Sequence, residues 1–207
     1  MQRASMNISI EKIRQEATPW LLLLQKYYQG HLCNLDNETW DKVLQALKAE
    51  PTSSLPKIQE GMNLLLGTDS RTRQDMKYDF NRLFIGPDKL QAPPYESCYL
   101  NPERILMQAE TLRVRSKYKE AGLEISHKNV EPDDFMGFEL EFLLFLISSD
   151  QESHHSLIPQ FLENHLFVWY KPHLEDIRSN SQHPVCLGIA LIMEGIMEYF
   201  NTSINQV

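Results

Sequence analysis

A chain of 207 residues, 42% of them hydrophobic, is long enough to bury a core and too apolar to be disordered throughout. A charged share of 23% is ordinary for a globular protein. The formal net charge of −8 disfavours nucleic acid as a partner and suits a cationic peptide, although an acidic surface also serves solubility alone.

Helical periodicity dominates the first half of the chain, where we predict four helices. The first runs from Ile8 to Gln29, and Pro19 is expected to delay its start, kink it or divide it. The other three begin at capping residues and end at proline or glycine: Asp36 or Asn37 to Pro51, Ser53 or Ser54 to Gly67, and Asp69 or Ser70 to Gly86-Pro87.

The second half begins with a loop, Asp88 to Leu100, because Pro93-Pro94 cannot continue a helix. Five further helical segments are predicted after it: Asn101 to Gly122, a helix from Pro132, Pro159 to about Pro172, a short turn or helix over His173–Arg178, and a last helix from Pro184. No segment alternates as a strand does. We therefore predict an all-α, multi-helix bundle with subdomains 1–123 and 131–207, joined by a polar hinge at 124–130.

The three cysteines are far apart and form no CxxC pair, which is typical of a reducing compartment. The polar N-terminus does not resemble a signal peptide. The strongest apolar runs, Leu21–Leu24 and Phe142–Ile147, are much shorter than a membrane span. We expect a cytoplasmic protein without stable membrane insertion.

Catalytic motifs are missing from the sequence: there is no GxSxG, Walker A, GxGxxG or HExxH pattern. Glu152 and His155 form one ExxH element, but a di-iron bundle needs two such elements and two further glutamates. We therefore expect a surface pair and no metal site. The sequence favours a binding protein over an enzyme.

Two segments stand out as candidates for binding. The acidic run at 131–134 either caps a helix or offers a carboxylate to an arginine. The loop after Gly86-Pro87 either packs the two halves together or presents Tyr95 and Tyr99 as aromatic walls with Glu96 as an acceptor. Glu139 lies in a very apolar helix, where a carboxylate must be exposed or paired.

Four stretches, in this order, resemble motifs of the TorD/DmsD/NarJ family of redox-enzyme maturation chaperones, and the TorD/DmsD subgroup in particular. They are YDFNRLFIGP at 78–87, APPYESCY at 92–99, EPDDFMGFELEF at 131–142, and the FLxxHLxxW pattern from Phe161 to Trp169. One position departs from the family pattern, because Phe135 stands where the family usually has a histidine.

The resemblance implies an all-helical protein of two subdomains that is a monomer or a homodimer with exchanged domains. It implies a chaperone of anaerobic respiration that binds the twin-arginine signal peptide and the apo-form of a molybdopterin oxidoreductase, assists cofactor insertion and delays export. It implies no resident cofactor, apart from weak GTP binding or a transient contact with the molybdopterin cofactor.

The basic start of such a peptide is expected to pair with Asp134, together with Glu96 or Glu131, and its apolar middle is expected to lie in a groove lined by Leu83, Phe84 and Tyr95. The full set of expected peptide-binding residues follows from the matched motifs: Tyr78, Leu83, Phe84, Gly86, Pro87, Pro93, Pro94, Tyr95, Glu96, Ser97, Tyr99, Glu131, Pro132, Asp134 and Glu139. Two other functions stay open: a helical subunit of a redox complex, and a nucleotide-dependent or hydrolytic enzyme.

Overall fold

The computed structural model describes residues 2–125 and 131–204, with side chains from residue 10 onward. Helices α1 to α11 comprise Gln2–Tyr28, Asn37–Lys48, Pro56–Leu66, Ser70–Phe84, Ser97–Leu100, Ala109–Glu120, Met136–Ser148, Glu152–His155, Leu157–Phe161, Phe167–Asn180 and Pro184–Ile204. Two 3-10 turns, His31–Asn34 and Pro51–Ser54, flank α2, and a π-helical turn, Leu162–Leu166, joins α9 to α10. The described residues contain no strand, which confirms the predicted all-α class.

Side-chain caps fix the starts of α2 and α4 where the sequence predicted them. Asp36 accepts a hydrogen bond from Thr39 N at 2.8 Å, and Asp69 accepts one from Thr72 N at 2.7 Å. These bonds lower the pKa of both carboxyl groups, because they favour the charged form. The predicted start of α3 is wrong, because residues 51–54 form a separate 3-10 turn and the helix begins at Pro56.

Neither internal proline divides its helix. Pro19 lies inside α1 and Pro172 inside α10, so the predicted end near Pro172 is wrong. Fully buried neighbours, Trp20 and Leu21 in α1 and His173 in α10, hold both helices together past the missing N–H group. Packing therefore outweighs the local cost of the proline.

The predicted helix from Asn101 starts eight residues late, at Ala109. The Asn101 side chain closes a loop instead, since its Oδ1 accepts from Ile105 N at 3.0 Å and its Nδ2 donates to Ile105 O at 3.1 Å. Arg104 and Met107 adopt left-handed backbone angles, with φ of 52° and 58°. A helix cannot continue through such residues.

One core unites helices from both predicted subdomains. The last helix, α11, packs against α3, α1 and α10, and α1 also packs against α7. Glycines allow α3 and α11 to approach closely: a Cβ added at Gly61 would lie 2.5 Å from Gly188 O. Of the predicted hinge, residues 126–130 lie outside the described part of the chain, so the division into two subdomains stays a prediction.

Helix α11 is long and apolar enough to cross a membrane by length and composition. It lies instead in the middle of the bundle, and Ile189, Met193, Ile196 and Phe200 are fully buried. The same composition is typical of a core helix in a globular protein.

Candidate functional site

The diproline loop and the start of α7 form one structural unit. Met136 N donates to Pro94 O at 2.9 Å, and Glu96 N donates to Asp134 O at 3.1 Å. These bonds produce an isolated antiparallel bridge between Tyr95 and Phe135. Two of the motifs found in the sequence, 92–99 and 131–142, therefore lie side by side, as a common site requires.

Asp134 anchors this unit from inside. Its side chain is fully buried, and each carboxylate oxygen accepts a hydrogen bond: Oδ2 from Ser97 N at 2.8 Å, and Oδ1 from Thr111 Oγ1 at 2.7 Å. Both oxygens are thus engaged within the protein. The neighbouring Asp133 pairs with Arg115, whose Nη2 lies 2.6 Å from Oδ2. In this arrangement Asp134 positions the loop and is not open to a ligand.

Two more carboxyl groups lie in the same buried cluster. Glu96 Oε2 is 2.8 Å from His165 Nδ1, and Glu139 Oε2 accepts from Trp169 Nε1 at 3.3 Å. The second oxygen of each glutamate has no hydrogen-bond partner among the described residues. Burial, and then the nearby charge of Glu96, raises the pKa of Glu139 well above its usual range. Burial also raises the pKa of Glu96, against the opposing effect of His165.

The accessible surface above this cluster combines aromatic rings with one carboxylate. Tyr95 OH donates to Glu131 Oε1 at 2.6 Å, and burial together with this bond raises the pKa of Tyr95. The Tyr95 ring lies 5.7 Å from that of Phe135, which lies 5.3 Å from that of Phe138. All four residues are half-buried. We call this set, Tyr95, Glu131, Phe135 and Phe138, the Tyr95–Glu131 rim.

Gly137 explains how Phe135 fits at the rim. A Cβ added at Gly137 would lie 2.4 Å from Phe135 Cε1, which is closer than two carbon atoms can approach without a shift. The ring therefore occupies the space that a side chain at residue 137 would need. Phe135 and Gly137 form a matched pair.

A second pair of a tyrosine and a carboxylate joins α5 to α10. Tyr99 OH donates to Asp176 Oδ2 at 3.0 Å, and the Tyr99 ring stacks on Trp169 with centroids 5.6 Å apart. Arg104 forms an ion pair with Asp176, and its guanidinium carbon lies 4.7 Å from the centre of the Tyr99 ring. This surface therefore carries its own arginine.

A buried histidine supports Tyr99 from behind. His173 Nδ1 is 3.1 Å from Tyr99 OH, and Nε2 is 2.8 Å from Tyr28 OH on α1. Burial lowers the pKa of His173 to about 3, so its imidazole is neutral at physiological pH. The His173 ring therefore links Tyr99 on α5 to Tyr28 on α1.

The structure separates the expected site residues into three groups. Leu83, Phe84, Pro93, Pro94 and Pro132 are buried, so they support the surface from below and do not line an open groove. Glu96, Ser97, Asp134 and Glu139 belong to the buried polar cluster. Tyr95, Tyr99 and Glu131 reach the surface beside them, and Tyr78, Gly86 and Pro87 reach it at α4 and the turn that follows.

Sequence reasoning missed the partners that complete the cluster. Thr111 donates a hydrogen bond to Asp134. Asp176 accepts a hydrogen bond from Tyr99 and forms an ion pair with Arg104. His165 and Trp169 belong to the FLxxHLxxW pattern, so that pattern was a usable signal. A polar residue in an apolar helix repeat predicts burial, but it does not identify the partner.

The fold and the site together define an all-α bundle that presents aromatic rings and carboxylates on one surface, above a buried acidic cluster. A model of the family described as nitrate reductase delta subunit matches residues 36–174. The chain belongs to this family, as the TorD/DmsD/NarJ resemblance predicted.

Curated relatives and a solved structure are similar over different shares of the chain. The Tat proofreading chaperone DmsD of Salmonella typhimurium is 31% identical over 115 residues, which are 56% of this chain and 55% of the relative. The chaperone protein TorD of Vibrio parahaemolyticus is 25% identical over 127 residues, 58% and 59% of the two chains. The chain thus spans about half the length of the curated relatives it matches.

The fold itself is shared with a solved structure from Archaeoglobus fulgidus, described as a redox enzyme maturation protein. The two chains align with a TM-score of 0.55 at 18% identity, over 88% of this chain and 93% of the other. At this identity the likeness shows the fold alone.

Proposed function

We propose that this protein is a cytoplasmic chaperone that binds the twin-arginine leader peptide and the apo-form of a molybdopterin oxidoreductase. In this role it assists cofactor insertion and delays export until the client is complete. Membership of the family and relatives named Tat proofreading chaperone and TorD chaperone support the proposal. The acidic net charge of −8 also favours a cationic partner.

The observation that carries the proposal is the composition of the Tyr95–Glu131 rim. A guanidinium group is planar, stacks on aromatic faces and pairs with a carboxylate through two hydrogen bonds. Glu131 is the half-buried carboxylate of the rim, and the Tyr95 hydroxyl holds it beside the Phe135 ring. We therefore assign the arginine contact to Glu131, with Asp134 and Glu96 as positioning residues beneath it.

The apolar middle of a leader peptide needs an exposed apolar surface. Such a surface follows Tyr99 along the chain: Ile105 is 46% exposed, Met107 57% and Leu112 62%. We propose that these exposed apolar side chains form the surface that the peptide covers. This segment takes the place of the expected groove at Leu83 and Phe84, which are buried in the core.

Titration calorimetry with the leader peptide tests the proposal. The twin-arginine peptide should bind, and a version with both arginines replaced by lysine should bind more weakly, because lysine lacks the planar fork. Glu131→Gln should weaken binding about tenfold. Glu60→Gln, an exposed acid on α3, removes the same charge and should change little. Absence of binding by the unaltered protein would overturn the proposal.

The family description favours a second candidate, a helical subunit that stays in a redox complex. A permanent subunit binds folded surfaces and purifies with its partner in a fixed ratio, whereas a chaperone releases the mature client. Size-exclusion chromatography of the protein with apo and cofactor-loaded client separates the two functions. Release on cofactor loading favours the chaperone.

A further inference from the structure

The Arg104 side chain lies at the surface and contacts one aromatic ring and one carboxylate. The side chain is 39% exposed, and it extends to the 25% exposed carboxylate of Asp176 and across the Tyr99 ring. A carboxylate beside an aromatic face is the set of partners that proteins use to hold a guanidinium group. Arg104 thus fills a complete guanidinium site on the surface.

The backbone of the loop does not depend on this side chain. Asn101 closes the loop through both atoms of its amide, Arg104 N donates to Asn101 O at 3.2 Å, and Cys98 Sγ donates to Arg104 O at 3.5 Å. The Arg104 backbone is left-handed with φ of 52°, a conformation that disfavours every residue with a Cβ relative to glycine. An arginine at this strained position therefore points to a use for its guanidinium.

We propose that Arg104 is an internal competitor for a ligand arginine, and that Asp176 with the Tyr99 ring forms a second guanidinium site that the bound peptide takes over. This inference rests on the proposed binding of a twin-arginine leader. The ligand displaces the Arg104 side chain, and the ligand guanidinium then stacks on Tyr99 and pairs with Asp176, while the hydrogen bonds of the Asn101 side chain keep the loop closed.

The two sites have the same construction. In each, a tyrosine hydroxyl donates to a partly exposed carboxylate: Tyr95 to Glu131 at 2.6 Å, and Tyr99 to Asp176 at 3.0 Å. Tyr95 lies two residues before α5 and Tyr99 lies within it, so one short segment of the chain carries both tyrosines. A peptide with two adjacent arginines suits a surface with two such sites. One site is open, and Arg104 occupies the other.

A double-mutant cycle on the full chain tests the competition. Peptide affinity is measured by calorimetry for the unaltered protein, Arg104→Gln, Asp176→Asn and the double variant. Arg104→Gln should bind roughly three- to tenfold more tightly, because the ligand no longer displaces an ion pair and a stacked cation. Asp176→Asn should bind more weakly. In the Asp176→Asn background, Arg104→Gln should have no further effect.

Arg71→Gln on α4 is the matched control, because it removes the same charge from a 90% exposed side chain. If Arg71→Gln tightens binding as much as Arg104→Gln, general charge explains the gain and the inference fails. Arg104→Gly, which also relieves the left-handed strain, should reproduce the gain and keeps the test valid if Arg104→Gln unfolds. Thermal melts verify folding of every variant.

The outcomes separate this inference from the proposed function. Binding by the unaltered protein with no gain in Arg104→Gln or Arg104→Gly would overturn the competitor role and leave the chaperone function standing. Binding by the unaltered protein that tightens in both Arg104 variants would support both. No binding by the unaltered protein or by either variant would overturn both.

Discussion

Asp134 holds Ser97 across the junction of two motifs, with its Oδ2 atom 2.8 Å from the Ser97 backbone nitrogen. The backbone carbonyl of the same aspartate accepts from Glu96 N at 3.1 Å. One residue just before α7 thereby fixes the start of α5, which begins two residues after Tyr95 and contains Tyr99. The half-exposed tyrosines owe their positions to a carboxylate that no ligand reaches.

Asp134→Ala is expected to destabilise the protein by about 2–4 kcal/mol, since it leaves the buried Ser97 N–H and Thr111 hydroxyl without their acceptor. Asp134→Asn keeps one acceptor and should cost less. Chemical denaturation monitored by circular dichroism gives the free energy of unfolding. Asp88→Ala, in an exposed loop, is the control. Equal stability of all variants would contradict the anchoring role.

Substitutions at Phe135 and Gly137 should have strongly non-additive effects on the free energy of unfolding. Alanine normally stabilises a helix by about 1 kcal/mol relative to glycine, but Gly137→Ala should destabilise α7 by about 1–3 kcal/mol because its Cβ would collide with the Phe135 ring. Phe135→Ala in the same chain removes the collision, and Gly137→Ala should then become neutral or stabilising. Free energies of unfolding for the two single variants and the double variant give the coupling energy. Simple additivity would refute the matched pair.

Glu139 should make stability depend on pH. Its pKa is raised in the folded state, so its contribution is present below the pKa of the unfolded chain, about 4.5, and is lost as pH rises through the folded value. Glu139→Gln does not titrate, so its stability is not reduced in this way as pH rises, and its side-chain oxygen still accepts from Trp169. Its melting temperature relative to that of the unaltered protein should therefore rise from about pH 5 to about pH 8.

The exposed Glu141→Gln, two residues along α7, controls for the loss of one carboxyl group. A Glu139→Gln difference that stays constant with pH would show that the folded protein holds Glu139 as an ordinary ionised carboxylate.

The sequence allowed the class of fold and the starts of α2, α4 and α11 to be predicted, because caps such as Asp36 and Asp69 act within one turn. Local signals failed where distant contacts decide. Pro172 reads locally as a helix end, yet the packing of α10 carries the helix through it. Asn101-Pro102-Glu103 reads as a helix start, yet the Asn101 side chain closes a loop.

In the candidate site, too, local signals were predictable from the sequence and distant contacts were not. Asp134 was predicted to act together with Glu96 or Glu131, and the hydrogen bond from Met136 N to Pro94 O joins the segments 92–99 and 131–142 that carry them. Periodicity could not reveal that Asp134 and Glu139 are buried while Glu131 reaches the surface, because all three lie within one acidic and aromatic stretch. Arg104 had no sequence signal, since its role depends on the contact with Asp176 on α10.

The close approach of α3 and α11 should be intolerant of a single added methyl group. In Gly61→Ala the new Cβ would lie 2.5 Å from Gly188 O and 2.8 Å from Ile192 Cγ1, and neither backbone can move without separating the two helices. We expect a loss of about 1–3 kcal/mol, despite the better helix propensity of alanine. Glu60→Ala, an exposed neighbour, should stay within about 0.5 kcal/mol of the unaltered protein.

The same experiment tests whether the two predicted subdomains are energetically coupled, because Gly61 belongs to the first and Gly188 to the second. If they unfold together, Gly61→Ala shifts one cooperative transition, and fluorescence and circular dichroism report the same midpoint. If the denaturation curve of Gly61→Ala splits into two steps, the α3–α11 contact joins units that fold separately, and the hinge at 124–130 marks a true boundary. A single shifted transition instead makes the bundle one folding unit, with the shared surface of α5 and α7 fixed by the whole core.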